Sequence, residues 1–214
     1  MMKQTIAWLG LLISIFVLSS CSPSWENRDY TFKEGFEALA KLDEKYGASF
    51  HKEQLNATSM VALENVEPFI ADLRAFRENI KRTKDSEDKD ALIDFIVVRI
   101  TMVGAEENFQ RAQKIGDIGL ASDEGGFSCS EVPYLLETYY YYNKTYAYTI
   151  KARSDLDTVL HKYREVTDLQ QLIGLGENKT QFYYFHLDNI KNILAANEKA
   201  VRNFCKAWVV KKSE

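Results

Sequence analysis

The chain has 214 residues, of which 46% are hydrophobic, 13% aromatic and 27% charged. That balance supplies enough apolar material for a packed core and excludes an intrinsically disordered chain. Ten glycines and three prolines exclude collagen-like and low-complexity sequence and argue against a turn-rich β-sandwich, while a formal net charge of −4 leaves no electrostatic footprint for nucleic acid.

The chain opens MMKQTIAWLGLLISIFVLSSC, with Lys3 followed by an apolar run over Thr5–Leu18. That run is shorter than the ~20 residues a spanning helix needs and fits the hydrophobic core of a secretory signal. Its end, Leu18-Ser19-Ser20-Cys21, places two small residues between an aliphatic residue and a cysteine. This resembles the lipobox of prokaryotic membrane lipoproteins, and the resemblance covers this segment alone. It implies cleavage before Cys21 and a diacylglycerol on the Cys21 sulfur. Residues 1–20 are then a signal peptide, 21–29 a lipidated tether and 30–214 a single extracytoplasmic domain. Two acyl chains anchor stably where one is marginal. With Cys21 assigned to lipid, Cys129 and Cys205 remain, an even pair in an oxidising compartment. A disulfide between them is expected, structural and not catalytic because no CxxC motif is present; a buried free thiol at Cys205 is the alternative.

Thr31-Phe32-Lys33-Glu34 has capping-box spacing, and Phe32, Phe36, Leu39 and Tyr46 recur at helical intervals before Gly47, a plausible stop. Val66, Phe69, Ile70, Leu73, Phe76 and Ile80 form the stripe of a second helix. Pro68 fits only its first turn, which predicts a short piece before Asn65 and a longer helix after it. Lys81–Lys89 reads as a charged turn. Asp90–Lys114 predicts a third helix, apolar nearly all round over Ile96–Met102 and therefore central. Its most apolar stretch, Phe95–Val103, is interrupted by Arg99 and is too short to span a bilayer.

Gly116–Phe127 is the longest expected loop. Ser128-Cys129-Ser130-Glu131 then offers a second capping box, ahead of a helix bearing Leu135, Tyr139, Tyr142, Tyr146 and Ile150. Ser154-Asp155-Leu156-Asp157 has the pattern of a fresh cap, with a continuation through Leu160 and Tyr163. Beyond Gly174 and Gly176, a last helix from Asn178 or Thr180 carries Tyr183, Leu187, Ile190, Leu194, Val201, Phe204 and Trp208. The expected fold is an all-α bundle of about five long helices.

Motifs for chemistry are sparse. None of His51, His161 and His186 has a glutamate three residues before it, and HExxH and haem-attachment patterns are missing. His161 and Glu165 are four apart, a spacing more typical of a surface contact than of a metal site. Gly174-Leu175-Gly176 lacks the remaining glycine of a dinucleotide loop, and Asp117, Asp123 and Glu124 do not match an EF-hand. Glu106 and Glu107 are adjacent on a helix and point apart. No catalytic residue, metal ligand or cofactor is assigned.

Tyrosine is the compositional oddity. Of twelve, Tyr134, Tyr139, Tyr140, Tyr141, Tyr142, Tyr146 and Tyr148 share one predicted helix, and Phe182, Tyr183, Tyr184 and Phe185 cluster on the next. Four successive helical residues point around most of the circumference, so some of these rings must lie outside the core. Tyr134, Tyr139, Tyr140, Tyr141, Tyr142, Tyr146, Tyr183 and Tyr184 are accordingly the candidate ligand or partner face. Asn56, Asn143 and Asn178 begin N-glycosylation patterns. The functional expectation is a non-catalytic interaction or scaffold protein of the cell envelope, held to the membrane by lipid. The alternatives are a carrier of a small amphiphile or glycan in an aromatic groove, and an envelope enzyme without a recognisable motif.

Overall fold

The protein is described by a computed structural model covering residues 28–50, 60–115, 132–166, 168–169, 180–192 and 195. The fold is an all-α bundle. Its elements are α1 (Phe32–Lys45), a 3-10 turn (Leu63–Asn65), α2 (Val66–Lys81), α3 (Glu87–Ile115), α4 (Val132–Lys162) and a fifth helix, α5, over 180–192. No strand occurs among the described residues.

Local signals set the start of the bundle. The Glu34 amide donates to Thr31 Oγ1 at 3.2 Å, and the Thr31 amide donates to the Glu34 carboxylate at 3.0 Å, so the capping box forms as its spacing predicts. Gly47 ends α1 at φ +75°, a left-handed conformation that favours glycine. Pro68 sits in the first turn of α2, directly after the predicted short piece. Val66, Phe69, Leu73, Phe76 and Ile80 of α2 are all buried.

Helix α3 is the central post. It packs against α1, α2 and α4, with its most extensive contact along α4. Contacts between Asp94 and Lys162, and between Phe109 and Tyr142, show that the two run antiparallel. Against the expectation, α4 does not restart at Ser154. The Thr158 hydroxyl donates to the Ser154 carbonyl at 2.9 Å inside one continuous helix, while Ala152, Leu156 and Val159 stay buried. The unbroken apolar stripe outweighs the local capping pattern, whose Ser154 and Asp157 simply face solvent. Because α4 ends at Lys162, Glu165 lies in the turn beyond and pairs with Arg164 at 3.4 Å; it does not share a helix face with His161.

Two apolar clusters stack along α3. The larger joins α1, α2, the first half of α3 and the last turns of α4. The smaller gathers Met60, Ala105, Phe109, Ala112, Tyr142, Tyr183, Leu187 and Ile190. The described chain begins beside the larger one: the Lys84 amide donates to Asp29 and the Phe32 amide to Asp88, each at 2.9 Å. From Asp88 to Phe109 along α3 is about 30 Å at 1.5 Å per residue. The chain therefore enters at one end of the bundle, and the aromatic cluster around Phe109 lies at the other.

Candidate functional site

The aromatic cluster is built from three helices. Phe109 of α3 lies with its ring centroid 5.2–5.7 Å from those of Tyr142 on α4 and of Phe182 and Tyr183 on α5, and 4.9 Å from His186. His186 also stacks on Tyr142 with centroids 5.8 Å apart. Here the tyrosine run divides as helical geometry requires. Tyr142 and Tyr183 are buried, Tyr139, Tyr141 and Tyr146 pack partly buried against the cluster, and Tyr134, Tyr140 and Tyr184 are exposed. Tyr148 is exposed as well, with its ring packed over Gly104, where a Cβ would come within 3.1 Å of it.

Exposed rings lie at this end of the bundle on both α4 and α5. Tyr146 and Tyr184 tie α4 to α5 with centroids 5.4 Å apart, and next to them Phe185 is 62% exposed, the most exposed large apolar side chain among the described residues. On α4, Tyr140 meets Tyr141 edge-on at 5.3 Å, and the Lys144 ammonium lies 4.5 Å from the Tyr140 ring centroid. Aromatic area with phenolic hydrogen-bonding tips is a composition that protein interfaces favour. Asn143 is exposed in mid-helix, whereas Thr145 of the same glycosylation pattern is buried and donates to the Tyr141 carbonyl at 2.9 Å.

Sequence reasoning missed the polar heart of the core. The guanidinium of Arg99 is fully buried and bonds Asp43 through Nε and Nη2 at 2.8–3.2 Å, and Glu106 through Nη1 at 2.9 Å. The rings of Phe50 and Phe69 flank it, with centroids 4.9 and 5.2 Å away. Burial would weaken its proton affinity, but the two carboxylates outweigh this and hold its pKa above the ordinary value. Glu106 also accepts from the Val61 amide at 3.3 Å, which ties the segment before α2 to α3. Glu106 and Glu107 do point apart: Glu107 is at the surface, paired with Arg111 at 2.7 Å. One guanidinium is hydrogen-bonded to both carboxylates, so the arrangement is a structural clamp.

Two spaces lined by described residues bear on ligand binding. The first, about 20 Å³, is lined by Phe95, Val98, Met102, Leu156, Glu106 and Tyr183 and holds about one water at most. An amphiphile does not fit it. Burial, then the Glu106 charge, push the Tyr183 phenol well above its usual pKa, with Arg99 opposing. A phenol held up in this way contributes stability below the unfolded value of about 10, and that contribution is lost as pH rises from there through the folded value. The melting temperature is thus expected to fall above about pH 10, and Tyr183→Phe is expected to flatten that fall in a pH series of thermal melts.

The second space is a shallow surface groove of about 280 Å³ between α3 and α4, floored by Val97, Val98 and Val159. Its rim charges are already paired, Lys162 with Asp94 and Lys151 with Asp155. No helix among the described residues is long and apolar enough to cross a membrane, and no group of three or more His, Cys, Asp or Glu among them is arranged to hold a metal. Cys21, Cys129, Cys205, Asn56 and Asn178 lie outside the described residues. Comparison with protein-family models, curated proteins and solved structures finds no match to this chain.

Proposed function

We propose that this chain is a lipid-tethered protein of the cell envelope that docks a partner protein through the aromatic surface of α4 and α5. The observation that carries the reading is that Tyr184 and Phe185 are exposed beside a packed cluster of described residues. Phe185 meets His186 with centroids 5.7 Å apart and keeps most of its area open to solvent, available for burial against something else. The lipobox resemblance of Leu18-Ser19-Ser20-Cys21 supplies the address. A tether over 21–29 reaches about 30 Å at full extension, and the chain enters the bundle at the end opposite the aromatic surface. A bundle held at that end turns its aromatic surface away from the bilayer and toward other envelope proteins.

The carrier reading is weaker because the rings of the described aromatic cluster are packed on one another, and only Tyr183 among them borders the water-sized space. Two results test the proposal together. The intact mass of chain extracted gently from its own membrane is expected to show cleavage before Cys21 and a diacylglycerol adduct; an unprocessed chain refutes the address. The Phe185→Ser variant is expected to keep its melting temperature within about 2 °C, as exposed substitutions do, while losing a complex fixed by cross-linking in intact cells. A sharp fall in stability would place that ring in the core and overturn the docking reading.

A further inference from the structure

A second feature of α4, which shares Tyr140 and Lys144 with the exposed aromatic region but not Tyr184 or Phe185, goes beyond that reading and stands without it. Leu136, Tyr140, Asn143, Ala147 and Ile150 follow one another at intervals of four, three, four and three residues, the spacing of a coiled-coil seam. All five are exposed, with Leu136 and Ile150 each at 41% and Tyr140 at 51%. The opposite side of the same helix is the buried one, carrying Thr145, Thr149, Ala152 and Leu156. Helix α4 therefore presents two faces fit for packing, one against α3 and one against nothing in its own described structure.

We infer that the outer face of α4 pairs with the same face of a second copy of this chain, antiparallel about a two-fold axis. Charge favours this partner and this direction. Along one flank of the seam run Glu137, Lys144 and Lys151, seven residues apart, acidic toward the N-terminus and basic toward the C-terminus. An antiparallel copy sets Glu137 opposite Lys151 twice over, as a second partner for a lysine that also pairs with Asp155 of its own chain, whereas a parallel copy brings no acidic residue of this flank to the lysines. Size agrees as well: Tyr140 falls against Ile150 of the second copy, and Asn143 against its small Ala147. The two Lys144 side chains meet near the axis, and each already leans back over its own Tyr140 ring. The seam spans four turns, about 21 Å, so the dimer is small and weak in solution, strengthened where lipid tethers confine both copies to one membrane.

Sedimentation velocity of the full-length chain in mild detergent, over about 1–100 µM, tests this. The expected result is a reversible monomer–dimer equilibrium in that range. Ala147→Glu, at an exposed position, is expected to weaken it at least tenfold with an unchanged melting temperature, and Lys144→Gln to tighten it severalfold by removing the like charges at the axis. A chain that stays monomeric throughout overturns the inference. So does a dimer indifferent to Ala147→Glu, which sits on another face, or one that Lys144→Gln does not tighten, which is not antiparallel here. An Ala147→Glu monomer that melts early shows instead that a segment of the same chain covers the stripe. These substitutions leave Tyr184 and Phe185 intact, so loss of the dimer and loss of the partner complex are separate results.

Discussion

Arg99→Met is expected to cost about 3–5 kcal/mol of folding stability, the usual price of breaking a buried ion pair from one side. The guanidinium and Asp43 are wholly inaccessible and Glu106 nearly so, and without Arg99 two carboxylates face each other across an apolar core. Domains of this kind have only about 5–15 kcal/mol in total, so a large part of it goes with one side chain. Arg99→Lys is expected to fare little better, because one ammonium cannot reproduce a fork that grips Asp43 along one edge and Glu106 along another. Replacing all three residues with apolar ones of similar volume is expected to recover most of the loss. Urea unfolding followed by circular dichroism measures this: the midpoint falls for Arg99→Met at unchanged slope and returns for the triple variant. A single variant as stable as the parent would mean that the triad is not formed.

Phe109→Ala is expected to cost a similar 3–5 kcal/mol, and to spend it unevenly. Phe109 is fully buried and is the ring that Tyr142, Phe182, Tyr183 and His186 all touch. Its removal opens a cavity in the smaller cluster, which is what holds α5 in place, and leaves the larger cluster of α1, α2 and early α3 untouched. Amide hydrogen exchange should therefore show 180–192 losing protection well before α1 and α2 do. Uniform loss across the bundle would show that the two clusters unfold as one.

What the sequence made legible is what local signals decide. The Thr31–Glu34 capping box, the left-handed Gly47 and the first-turn Pro68 each act within a few residues, and each lies where its pattern puts it. Ser154-Asp155-Leu156-Asp157 carries an equally good local signal and is overruled, because the buried side of α4 runs on through Leu156 and Val159 against α3. The charge clamp was hidden for a related reason: Asp43 is 56 residues from Arg99. Its one trace in the sequence is the arginine inside the apolar Phe95–Val103 run, a charge that a buried helix can keep only with partners. The helical period alone shows that the tyrosines cannot all be core. Which of them emerge depends on where α3 and α5 dock, and the exposure of Tyr140 and Tyr184 beside the burial of Tyr142 and Tyr183 is settled by that packing.

The most direct test of partner docking is site-specific photo-cross-linking in intact cells, with a photoreactive phenylalanine analogue in place of Phe185 and, in a control, in place of Arg82. Both positions are exposed, and Arg82 lies at the opposite end of the bundle, where the chain enters. A discrete adduct from position 185 that is missing from position 82 is the result this account predicts. No discrete adduct from 185, or the same products from both positions, would contradict it.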